Sequence, residues 1–193
     1  MKELIKAFHN QPLRRINGRE YILNPLLDHY PETSYALMED TILELSRITD
    51  LSKIDKIVGE EDRGGYIAAL MAFRHKKSLA MVKWNPCGLD GHIGVDFRNA
   101  YTSGKMYLNG AKKGDKVLIV EDLIDSGGTI IAMISLLKYA GVEICDIITV
   151  VDKVDYGGRE RILKETGFSV KNILGVACRG GRSKVISVLG IGT

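Results

Sequence analysis

The chain has 193 residues, 45% of them hydrophobic and 26% charged, which suits one globular domain of ordinary composition with a small appendage. Its net charge of +3 (27 basic against 24 acidic residues) is too small to imply nucleic acid, and it fits an anionic small substrate equally well. Cys87, Cys145 and Cys178 are widely spaced with no CxxC pair, which argues against a disulfide framework or a zinc site and for a reducing cytoplasm.

In chain order, residues 1–50 give a short strand or turn, REYILNPLL, and then a helix over 34–48. They read as a small hood or flap. MKELIKAFHN lacks a signal-peptide core, and no apolar run approaches the roughly 20 residues of a membrane span. Residues 51–178 carry the core. IDKIVGE (54–60) reads as a buried strand, GYIAALMAFRHKK (65–77) has helical spacing, and SLAMVKW (78–84) is a second strand. Residues 85–110 hold five glycines and a proline and read as a long hairpin-like loop, a length that is usually functional. KVLIVED (116–122) is the third strand, followed by a helix over 128–141 and a fourth strand, ICDIITVVD (144–152). A helix over 157–167 and a fifth strand over 168–177 complete the core, and 179–193 reads as a flexible basic tail. Strands alternating with helices of this length predict an α/β fold, a parallel sheet flanked by helices on both faces.

The stretch VLIVEDLIDSGGT (117–129) carries the chemistry. In an open α/β sheet, ligands sit beyond the carboxyl ends of the strands. Glu121 and Asp122 end a strand, so at least one of their side chains should point into that crevice. The DSGGT turn then opens a helix, where consecutive N–H groups at the positive end of the dipole cradle an anion. Gly127 and Gly128 let the backbone approach a phosphate, and Ser126 and Thr129 add hydroxyls. A ribose 5-phosphate satisfies both halves: its hydroxyls donate to the acids and its phosphate takes the glycine turn. A P-loop lysine is lacking, no GxGxxG follows the first strand, and His9, His29, His75 and His92 show no metal-ligand spacing.

VLIVEDLIDSGGT resembles the thirteen-residue signature with which type I phosphoribosyltransferases bind 5-phosphoribosyl pyrophosphate (PRPP), and the similarity extends over roughly residues 20–178. The resemblance implies a Rossmann-like core with an N-terminal hood over the base and a mobile lid at 85–110. It implies transfer of a phosphoribosyl group from PRPP to a base, with Mg2+ held at Glu121 and Asp122, directly or through water. PRPP would contact Glu121, Asp122, Asp125, Ser126, Gly127, Gly128 and Thr129. EDRGGYIA (61–68) resembles the pyrophosphate loop, placing Asp62, Arg63 and Gly64 there, with a cis Asp62–Arg63 peptide and Lys83 nearby. A homodimer is implied as well.

Asp125 bears on the base. The resembled adenine enzymes carry a small residue at this position, and the hypoxanthine-guanine enzymes an aspartate, which takes or shares the purine N7 proton as N9 attacks ribose. Lys153, at the end of the next core strand, matches a lysine that donates to the 6-oxo group in those enzymes. Tyr156 is the candidate for stacking on the purine. The favoured reading is therefore a purine salvage enzyme for hypoxanthine or guanine, of the archaeal type. An adenine enzyme, an orotate enzyme and a PRPP-sensing regulator of the same fold are the alternatives, and no basic recognition helix supports the last.

Overall fold

Local signals place most elements of the computed structural model, which describes residues 1–88, 93–98 and 103–190. Helix α1 (Lys2–Phe8) buries Leu4, Ala7 and Phe8. Asn17 and Gly18, at φ 49° and 80°, then close a two-residue hairpin between β1 (Leu13–Ile16) and β2 (Arg19–Ile22). Asn-Gly suits this turn because both of its central residues need positive φ. Helix α2 (Pro25–Asp28) is capped by the Asn24 side chain and α3 (Tyr35–Arg47) by Ser34.

The core then alternates as expected. It runs β3 (Lys56–Glu60), α4 (Arg63–His75), β4 (Ser78–Lys83), β5 (Gly94–Arg98), β6 (Ser103–Asn109), β7 (Lys116–Ile124), α5 (Gly128–Tyr139), β8 (Glu143–Lys153), α6 (Gly158–Thr166), β9 (Lys171–Arg179) and β10 (Arg182–Gly190). The eight-stranded sheet has the order β10-β9-β8-β7-β3-β4-β6-β5. Its five central strands are parallel, but β10, β6 and β5 pair antiparallel, so the sheet is mixed rather than wholly parallel. Alternation along β7 explains its unbroken apolar run. Leu118 and Val120 pack with α3 and α4 residues on one face, whereas Val117 and Ile119 pack with α5 on the other.

One expectation needs correction. Residues 182–190 are not a flexible tail: a Gly180-Gly181 turn folds them back as the edge strand β10. Ser183 is buried there and donates to the Phe8 carbonyl at 2.7 Å, tying the strand to α1. The 85–110 segment, expected as a hairpin-like loop, carries β5 and β6, which pair antiparallel and extend the sheet beyond β4. Parts of the expected lid, 89–92 with His92 and 99–102, lie outside the described residues, as do 191–193.

The strand order creates the crevice that matters. β3 is the first core strand, yet β4 continues to one side of it and β7, β8 and β9 to the other, a topological switch point. Pairing of β3 with β7 stops at Val58↔Ile119. Meanwhile β3–β4 pairing continues to Glu60↔Val82 and β7–β8 pairing to Ile124↔Asp152. The two central strands thus part at their carboxyl ends.

Candidate active site

An open pocket lies in this parting, lined by Glu60, Asp62, Arg63, Trp84 and residues 121–130. Three carboxyls sit almost wholly out of solvent: Glu60 at 5%, Glu121 at 2% and Asp122 at 6% exposure. Burial, reinforced by Asp122 and Asp62, pushes the Glu60 pKa up to about 8. Burial and the adjacent Asp122 likewise raise Glu121 well above the usual carboxylate range. Asp122 has a cation in reach, Arg63 Nε at 3.5 Å from Oδ2. Even so, Glu60 Oε1, Glu121 Oε2, Asp122 Oδ2 and Ser126 Oγ are buried without a hydrogen bond. Each such atom costs about 1–3 kcal/mol. Four of them around one pocket mark a place where a ligand supplies the missing partners.

Two helix N-termini frame the pocket. α5 starts at Gly128 with Gly127 at φ 77° and no side-chain cap, leaving first-turn N–H groups for an anion. The turn is fixed from behind by α6: a Cβ on Gly158 would stand 2.5 Å from Ile124 Cγ2 and closer still to the Asp125 carbonyl oxygen. Gly158→Ala should therefore cost about 1–3 kcal/mol, measured as a lower thermal midpoint. An unchanged midpoint would show that the 124–128 turn yields freely.

On the opposite side, α4 follows Asp62, which sits at φ 136° and ψ −131°. Such geometry is nearly confined to glycine and costs a side-chain-bearing residue about 1–3 kcal/mol. The expected cis Asp62–Arg63 peptide is not found, and the one cis bond among the described residues is Tyr30–Pro31. The unusual Asp62 dihedrals make the turn instead. Gly64 allows α4 to approach the acids, since a Cβ there would lie 2.5 Å from Glu121 Oε1.

Asp125 and Lys153, far apart in sequence, form a buried ion pair at the other end of the site. Lys153 is 1% exposed and donates also to the Glu20 carbonyl. Tyr156 stands beside them, with its hydroxyl accepting the Glu20 N–H at 2.9 Å and its ring 4.4 Å from Lys153 Nζ. Ser126, Gly127, Gly128 and Thr129 line the pocket as their turn requires. Lys83 does not line it; its ammonium pairs with Glu61 at 3.3 Å, and Trp84 takes the place at the pocket wall.

Sequence reasoning missed Glu60 and Arg19. Glu60 had a usable signal, a carboxylate closing the apolar run of β3 at the sheet's ligand-binding edge. Arg19 had none: it ion-pairs with Asp125 across 106 positions from the hood hairpin. The hood also reaches Arg63, whose Nη1 donates to the Tyr21 hydroxyl at 2.9 Å. Among the described residues, no group of three or more His, Cys, Asp or Glu side chains could hold a metal by itself, and no helix is long and apolar enough to cross a membrane.

Known proteins match this architecture. The phosphoribosyl transferase domain family matches residues 36–178. A hypoxanthine/guanine phosphoribosyltransferase of Methanocaldococcus infernus is 35% identical over 93% of this chain and 97% of its own. One of Aciduliprofundum boonei is 32% identical over 96% and 100%. The crystal structure of adenine phosphoribosyltransferase from Thermoanaerobacter pseudethanolicus superposes with a TM-score of 0.76 at 20% identity, covering 90% of this chain and 98% of that one. At that identity the likeness speaks for the fold alone. A paired-acid strand end, an uncapped helix mouth at a topological switch and this breadth of match agree: the chain belongs to the phosphoribosyltransferase family and is an enzyme of that class.

Proposed function

We propose that this enzyme serves purine salvage, joining hypoxanthine or guanine to PRPP and releasing pyrophosphate and the nucleoside 5′-monophosphate. The observation that carries the base assignment is the buried Asp125–Lys153 pair at the end of the pocket away from the acids. Lys153 offers only donors, which suit a 6-oxo group and leave an exocyclic amine without an acceptor. The names of the archaeal relatives support the same choice.

The 5′-phosphate of PRPP would take the N–H groups of 126–129 and the Ser126 and Thr129 hydroxyls. Glu121 and Asp122 would accept from the ribose hydroxyls. Arg63 and the backbone of 62–64 would receive the pyrophosphate. The C1–O bond to pyrophosphate breaks as purine N9 closes on C1, and the N7 proton passes to the Asp125 carboxylate. Catalysis is then chiefly positioning and charge stabilisation in a site shielded from water.

Magnesium fits this donor set. Carboxylate oxygens of Glu121 and Asp122 that accept no hydrogen bond, with no complete protein cage among the described residues, would suit an ion that keeps much of its water shell. When bound it would neutralise charge on the departing pyrophosphate. A homodimer and a cytoplasmic location belong to the same reading; three widely spaced cysteines with no CxxC pair suit the latter.

Turnover with PRPP against adenine, hypoxanthine, guanine, xanthine and orotate tests the proposal. Hypoxanthine and guanine should lead. Turnover of adenine alone would overturn the base assignment, and sequence-specific DNA binding without turnover would favour a regulator. Lys153→Ala should shift the hypoxanthine-to-adenine ratio of kcat/KM by about 10–100-fold against hypoxanthine, the worth of one hydrogen bond to a charged group. Because the ratio cancels losses common to both bases, an unchanged ratio would remove Lys153 from base recognition.

A further inference from the structure

The base end of the pocket is partly filled by the protein itself. Asp125 Oδ2 is held by Lys153, and Oδ1 by Arg19 Nη1. The Arg19 guanidinium also lies over the Tyr156 ring, 4.8 Å from its centroid. It thus covers both features that a purine needs there, the proton-accepting oxygen and an aromatic face.

The two cations are held very differently. Lys153 is 1% exposed and anchored by the Glu20 carbonyl, whereas Arg19 is 31% exposed beside a two-residue turn. The hairpin does not depend on the Arg19 side chain for its seat. Glu20 pins it through the main chain, with its carbonyl accepting from Lys153 and its N–H donating to the Tyr156 hydroxyl. Arg19 can therefore swing away while the hood stays docked, and Lys153 cannot.

We propose that Arg19 is a displaceable gate on the base site. With no base present it neutralises Asp125 and covers Tyr156; an entering purine displaces it, takes the ring face and brings N7 to Oδ1. The inference rests on the reading that Asp125, Lys153 and Tyr156 face the base. A closed gate lowers apparent affinity by the fraction of time it stands open. Removing it therefore tightens base binding, the opposite of what removing a base ligand does.

The test is steady-state kinetics with hypoxanthine at saturating PRPP. Arg19→Ala should lower the hypoxanthine KM about three- to tenfold with the PRPP KM unchanged, while Arg19→Lys, which retains a cation, stays near the parent. Arg19→Gln replaces the alanine variant if thermal unfolding shows that variant to be misfolded. A raised or unchanged hypoxanthine KM in a folded neutral variant overturns the gate, the raised value making Arg19 a base ligand. If the parent itself turns over no purine, the reading of the site fails and the gate with it, an outcome distinct from failure in the variants alone.

Discussion

Asp125→Asn is expected to lower kcat by about 10²–10⁴-fold while leaving the dissociation constant for PRPP within a few-fold of the parent's. The substitution is nearly isosteric, so the 124–128 turn and its N–H groups keep their places against Gly158 and Ile162. What changes is the proton acceptor. An amide has one oxygen and no basic site, so the N7 proton of the purine loses its destination. Stability should change as well, because the lost charge faces Arg19 on one oxygen and the almost fully buried Lys153 on the other. Breaking a buried pair from one side costs about 3–5 kcal/mol, a fall in Tm on the order of 10 °C for a chain of this length. Kinetics must therefore be read well below the variant's own midpoint, with PRPP binding measured in parallel. Equal kcat in variant and parent would end the proton-transfer role. A matching loss of PRPP affinity would instead make Asp125 a binding residue.

What the sequence makes legible here is what depends on neighbours along the chain. The apolar runs of β3, β4, β7 and β8 lie within two residues of their expected bounds; in β3 and β7 burial on both faces leaves no polar alternation to misread. The acid pair and glycine turn of 121–129 are readable for a related reason: strand end, nest and helix start are consecutive. β10 was missed although Gly180-Gly181 is a hairpin signal, because the basic RGGR of 179–182 reads as the start of a tail when the pairing with β9 is not in view. Arg19 illustrates the limit. Nothing within ten residues of it hints at Asp125; the contact exists only because the hood hairpin folds onto the end of β8. Lys83 is the reverse case, a basic strand end with a plausible local reading whose ammonium lies beside Glu61 at 3.3 Å.

Glu60→Gln should stabilise the ligand-free enzyme at pH 8 relative to the parent, with little difference at pH 5. Folded Glu60 keeps its proton up to about pH 8, because burial and the charges of Asp122 and Asp62 oppose ionisation, whereas the unfolded chain releases it near 4.5. Below pH 4.5 both states are protonated and the residue costs nothing. Between 4.5 and about 8 the folded state holds a proton that the unfolded state has lost, so stability declines as pH rises. That interval, at about 1.36 kcal/mol per unit of pH, is worth up to about 4–5 kcal/mol. Glutamine carries no titrating proton and escapes the decline. Glu121 is shifted in the same direction, in part by the Glu60 charge itself, so its own share of the decline also eases in the variant; the opposite shifts of Asp40 and Asp155 owe nothing to Glu60 and cancel in the difference. Denaturant midpoints of both proteins at pH 5 and pH 8 give the result directly. If the two proteins shift in parallel, Glu60 titrates in the folded enzyme as it does in the unfolded chain, and the electrostatic cost of this acid-lined pocket must rest on Glu121 instead.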